Sequence, residues 1–100
     1  MKPIDKSYQS AVDKEAERVV KLSAEDFLKV DNYGSIETLI DNKKVTIGFW
    51  HHKLNDKLHH IIFQADRRAF LFLYKKYLSG VKLDNGIIKI LSEEEIGNYD

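Results

Sequence analysis

Apolar residues near the start of the chain fall at Tyr8, Ala11, Val12, Ala16, Val19, Val20 and Leu22. Steps of three and four predict an amphipathic helix over Tyr8–Leu22. Residues 1–7 lack that period and are expected to be loosely held. Ser23 followed by Ala24-Glu25-Asp26 reads as an N-cap with acids in the first turn. It predicts a second, short helix to about Val30 that buries Phe27 and Leu28. Asp31-Asn32-Tyr33-Gly34 then supplies turn chemistry.

The period changes after this point. Ile36, Thr38 and Ile40 alternate, which favours a strand, and Asp41-Asn42-Lys43-Lys44 reads as a turn. The stretch from Val45 to Gln64 holds the only Trp and all four His, arranged around the near-palindrome HHKLNDKLHH. Its flanks are rich in Val, Ile, Phe and Trp, so it predicts a β-hairpin turning at Asn55-Asp56. Residues Leu58, Ile61, Ile62, Ala65, Ala69, Phe72 and Leu73 also fit helical spacing, making one long helix from Asp56 to Ser79 the competitor. On the hairpin reading, Asp66 caps a helix at about 67–79 with Phe70, Leu73, Tyr74 and Tyr77 on its buried face. Gly80 would then take the left-handed position after that helix. Val81-Lys82-Leu83 and Ile87–Leu91 flank Asn85-Gly86, a strong two-residue hairpin signal. Ser92 with three following Glu predicts a short C-terminal helix. The elements sum to an α+β fold: an antiparallel sheet of 3–5 strands built from hairpins, an N-terminal helix pair, the 67–79 helix and a short terminal helix.

One hundred residues suit a single domain over 1–100. The absence of cysteine removes thiol chemistry and thiolate metal sites. With no run of ten apolar residues and no apolar leader, the expectation is no membrane partner and a cytoplasmic location. The net charge of zero hides a partition. Residues 1–42 carry six Lys/Arg against nine Asp/Glu, residues 43–90 ten against three, and residues 91–100 four acids and no base. Either the acidic ends fold over the basic middle, or the middle presents a basic face.

Candidate chemistry concentrates in that middle. A two-residue turn would pair His52 with His59 and His51 with His60, one pair on each side of the hairpin tip. Two imidazoles can begin a metal site, but zinc requires three or four ligands. His51, His52, His59 and His60 are therefore weak metal candidates, and no cofactor is expected. Trp50, Tyr74 and Tyr77 interleave with Lys53, Lys57, Arg67, Arg68, Lys75 and Lys76, a pattern that could serve nucleic acid, although no recognisable RNA- or DNA-binding motif accompanies it. No serine elbow, phosphate loop or catalytic carboxylate pair appears, which disfavours an enzyme. The leading expectation is a non-enzymatic binding protein of adaptor, inhibitor or immunity type. It would dock on an acidic protein partner through Trp50, His52, Lys53, Lys57, His59, Arg67 and Arg68.

Overall fold

A computed structural model describes residues 2–100. Helix α1 spans Pro3–Val20, with Pro3 in the first turn, where its missing N–H is no loss. Tyr8, Val12, Ala16 and Val19 form its buried stripe, with Asp5 one turn ahead of them. Helix α2 is one short piece, Ala24–Leu28, capped by Ser23, whose Oγ accepts the Asp26 N–H at 3.1 Å. Its Phe27 is fully buried in the core, contributing about 1.5–3 kcal/mol of apolar transfer.

Five antiparallel strands follow in a simple meander, β1 Tyr33–Ile40, β2 Lys43–Asn55, β3 Leu58–Phe70, β4 Leu73–Asp84 and β5 Ile87–Ile90. Helix α3, Glu93–Gly97, closes the chain, and Ser92 and Glu95 satisfy each other's backbone N–H groups in a capping box. Two of the four turns are dictated by residues that tolerate positive φ. Asp41 and Asn42 lie at 51° and 66°, Asn85 and Gly86 at 51° and 82°, the backbone that two-residue hairpins require. At the β2–β3 turn the Asn55 side chain instead accepts the Lys57 N–H at 2.8 Å.

Helix α1 lies on the sheet face built from Ile40, Ile47, Ile61, Phe63, Ala65, Tyr77, Val81 and Leu83. The opposite face is covered over part of its area by the chain after β5, where Ile62 and Leu91 are buried. The two central strands outrun their neighbours. β2 pairs with β3 only as far as Gly48↔Gln64, and β5 pairs with β4 only from Val81↔Ile90 onward. From Ala65↔Tyr77 to Phe70↔Leu73, β3 and β4 continue as a two-stranded arm, and the molecule reaches 42 Å along its longest axis.

The α+β class, both flanking hairpins and the two serine-capped helices agree with the sequence reading. The expected helix at about 67–79 does not form, and neither does a long helix from Asp56: those residues are the end of β3, a turn at Leu71-Phe72, and the first half of β4. Phe70, Leu73 and Tyr74, assigned to its buried face, are exposed, and only Tyr77 is buried. Helix α1 starts at Pro3, so the segment expected to be loose supplies its first turns, while Met1 lies outside the described residues. Leu28 is exposed. Gly80 sits inside β4 rather than after a helix, and its role is close approach. A Cβ there would stand 2.8 Å from the Ile61 carbonyl oxygen, 2.8 Å from Leu91 Cδ1 and 2.9 Å from Ile62 Cδ1. Gly80→Ala is expected to destabilise by about 1–3 kcal/mol through overpacking against backbone, seen as a lower urea midpoint. An unchanged midpoint would contradict this packing.

Candidate functional site

The histidines do divide into two cross-strand pairs on opposite sheet faces, but the partners differ from those a simple turn implies. The register shifts between Lys53 and Asn55, so His52 opposes His60 and Lys53 opposes His59. On the helix side, His51 Nε2 lies 2.8 Å from His59 Nδ1, and His51 Nδ1 lies 2.9 Å from the Val30 carbonyl. That carbonyl can only accept, so a neutral His51 donates from Nδ1 and accepts at Nε2 from the His59 Nδ1–H. The relay ties the end of α2 to the sheet, and Phe27 meets the His51 ring edge-on at 5.7 Å. On the other side, His60 Nδ1 lies 2.7 Å from the Tyr99 hydroxyl, and the Tyr99 ring centroid is 5.2 Å from that of His52. Burial pushes His59 and His60 below the ordinary His value, His51 and Lys53 adding to the effect at His59. Because the doublets face opposite ways, the four rings cannot share one ion, and among the described residues no three His, Asp or Glu side chains form a metal-holding group.

The cations follow the first of the two charge arrangements weighed above. Asp5 receives the Tyr77 hydroxyl hydrogen bond, Arg67 Nη2 at 3.3 Å and Lys75 Nζ at 3.3 Å. Arg67 Nε also donates to Tyr77 Oη at 3.2 Å, and Tyr8 stacks on Tyr77 at 5.1 Å. The Tyr77 bond, with Lys75 and Arg67, holds the Asp5 carboxyl at about 2 against burial. Lys82 meets Glu95 at 2.7 Å, Lys76 meets Asp100 at 3.7 Å, and Lys53 meets Asp56 at 3.4 Å. Lys82, helped by the Ser92 backbone N–H, lowers Glu95 to about 2. Asp5, Glu95 and Asp100 of the acidic ends thus pair with four of the ten cations of the basic middle, Arg67, Lys75, Lys76 and Lys82.

The seven residues assigned to one docking surface are dispersed. Trp50 and His52 line a shallow depression with Ile62, Gln64, Leu78 and Tyr99 on the face away from α1. Lys53 and Lys57 sit at the β2–β3 turn, and His59 is buried on the helix side. Arg67 belongs to the Asp5 cluster, and Arg68 lies at the far end of the arm, donating from Nε to the Leu71 carbonyl at 2.6 Å.

The feature that the sequence reading missed is the arm's tip. Phe70, Leu71, Phe72, Leu73 and Tyr74 are consecutive, and each is between 58% and 89% exposed, Phe72 most of all. Phe70 and Leu73 are opposed and share one side; Arg68 and Tyr74 share the other. Leu71 adopts φ of 40°, a conformation that a non-glycine residue holds only at some free-energy cost. The warning in the sequence is ArgArgAlaPheLeuPheLeuTyrLysLys itself: five large apolar residues in a row exceed what one helix face can bury.

Comparison with protein-family models, curated proteins and solved structures finds no match to this chain.

Two predictions follow from the ionisable groups. The folded chain protonates His59 and His60 less readily than the unfolded chain, so their stabilisation is complete above about 6.5 and declines as pH falls below it. Asp5 and Glu95, held at about 2 against ordinary values of 3.8 and 4.5, contribute fully above that range and lose their contribution as pH falls toward 2. Urea midpoints measured from pH 8 to 2 should fall in two segments. The upper one should vanish in a His59→Gln/His60→Gln variant; a flat profile between pH 7 and 5 would refute the assignment. Asp5→Asn should raise amide exchange in residues 65–77 at least tenfold while leaving β1 unchanged, because it weakens the contact that ties Arg67, Lys75 and Tyr77 to α1.

Proposed function

We propose that this chain is a small non-enzymatic binding module whose docking element is the tip of the β3–β4 arm. The carrying observation is the run of five exposed apolar residues, Phe70 to Tyr74, at the end of the arm, past the Arg67↔Lys75 rung that Asp5 of α1 contacts. Single exposed apolar side chains are ordinary, but a contiguous group at a projecting end marks an interaction site. The unfavourable Leu71 backbone points the same way, since such conformations collect where function needs them.

In this reading the apolar tip supplies adhesion, and the cations behind it supply orientation. An anionic partner, whether the acidic protein expected from the sequence or another anionic surface, would meet Arg68 and Lys76 at this end, whereas Lys53 and Lys57 lie at the β2–β3 turn, outside the arm. The adaptor, inhibitor or immunity role is retained as a proposal, with the contact moved to the arm. The proposed setting is the cytoplasm. No helix of the described residues is long and apolar enough to cross a membrane.

Photo-crosslinking in the native host tests the placement. With p-benzoylphenylalanine at position 72, adducts to protein or lipid should exceed those from the same probe at exposed Glu37 by about tenfold. Equal yields at the two positions would remove the arm from the docking role.

A further inference from the structure

Resting on that reading, we infer that the arm docks on an anionic phospholipid bilayer, the tip entering the headgroup–acyl boundary and the cations behind it meeting the phosphates. Three features of the arm select this occupant over a protein groove or a second copy of the chain.

The first is that the tip is apolar on both sides. A protein surface or groove would contact one face of a ribbon, and alternation would leave the other face polar. Here Phe70 and Leu73 project to one side, Tyr74 to the other, and Leu71 and Phe72 form the turn between them. Such a tip suits a medium that surrounds it. Its reach agrees: the turn lies three residues past the Arg68↔Tyr74 rung, about 10 Å at ~3.3 Å per residue. An interfacial anchor buries its apolar part by about 5–10 Å.

The second is charge complementarity. Arg67, Arg68, Lys75 and Lys76 stand immediately behind the tip. Asp5 is bonded to Arg67 and Lys75, which brings the first turns of α1, with Lys2 and Lys6, to the same end. Against these six cations stand Asp5, Asp66 and Asp100, leaving an excess of three positive charges where a protein of zero net charge meets its target. Anionic leaflets attract cations held near their surface, and an apolar anchor with a basic collar supplies the two signals that stable attachment needs.

The third is that the arm's edges oppose strand addition. Asp66, Arg67 and Arg68 on β3 and Lys75 and Lys76 on β4 occupy the unpaired edges. Charged side chains there disfavour extension of the sheet by another copy.

Co-sedimentation of the full chain with vesicles tests this. Phosphatidylcholine vesicles containing about 30% phosphatidylserine should retain the protein, and pure phosphatidylcholine vesicles should bind it at least tenfold more weakly. Phe72→Ser, at a position outside the core, should weaken binding about tenfold or more with an unchanged urea midpoint. Raising NaCl about tenfold should also weaken it. Equal retention by neutral and anionic vesicles, retention unaffected by Phe72→Ser, or no retention by either vesicle would overturn the bilayer proposal. If protein adducts, including a crosslinked dimer, nevertheless formed from position 72, the arm would remain the docking element and only its occupant would change. Failure of both experiments would remove both readings.

Discussion

A single carboxylate holds the distinctive part of this molecule in place. Beyond Gln64 and Leu78, β3 and β4 have only each other, and a lone two-stranded ribbon is marginal in water. Asp5 converts it into a fixed arm by accepting from Tyr77, Arg67 and Lys75, three donors contributed by both strands. Tyr8, one turn along the helix, stacks on Tyr77 at 5.1 Å beside the cluster. The desolvation of Asp5 is opposed by three donors, two of them cationic, so the ionised form is favoured over the neutral one. Helix and arm are thereby joined by side-chain contacts as far as the Arg67↔Lys75 rung.

The same contact explains the uneven charge of the chain. Acids near both ends act as internal counterions to the middle, Asp5 for Arg67 and Lys75, Glu95 for Lys82, and Asp100 for Lys76. Their effect is unequal along the molecule. Glu95 and Lys82 neutralise one another on the face covered by α3, whereas one carboxylate at Asp5 serves two cations. Positive charge consequently accumulates around the base of the arm, although the whole chain sums to zero.

Much of the fold is legible in the residues. The four-residue spacing of Tyr8, Val12 and Ala16 gives α1, Ser23 and Ser92 mark helix starts, and Asn85-Gly86 fixes a turn to the residue. The arm is not legible by periodicity, for a physical reason. Period two signals a strand with one wet and one dry face, and the tip has two exposed apolar faces. Its residues Phe70, Leu73, Tyr74 and Tyr77 fall by chance at steps of three, one and three, which imitate a helix stripe. Gly80, at the apparent end of that stripe, completes the imitation, though it is needed because Leu91 and the Ile61 carbonyl crowd the strand. The wide spread of the seven candidate site residues has a related cause. Proximity in sequence joined Lys53, Lys57 and the histidines to Arg67 and Arg68, but β3 is thirteen residues long, and an extended strand carries its two ends about 40 Å apart.

That separation gives the molecule two ends with different chemistry. At the β2–β3 end, imidazoles fasten what lies above and below the sheet, His51 and His59 holding the segment after α2 and His60 holding Tyr99. Burial disfavours the charged form of His59 and His60. At the arm end, permanent cations surround an apolar tip, and neither guanidinium nor ammonium groups titrate in the physiological range. The groups that fasten the sheet and the cations that stand behind the exposed tip thus lie at opposite ends of one hairpin.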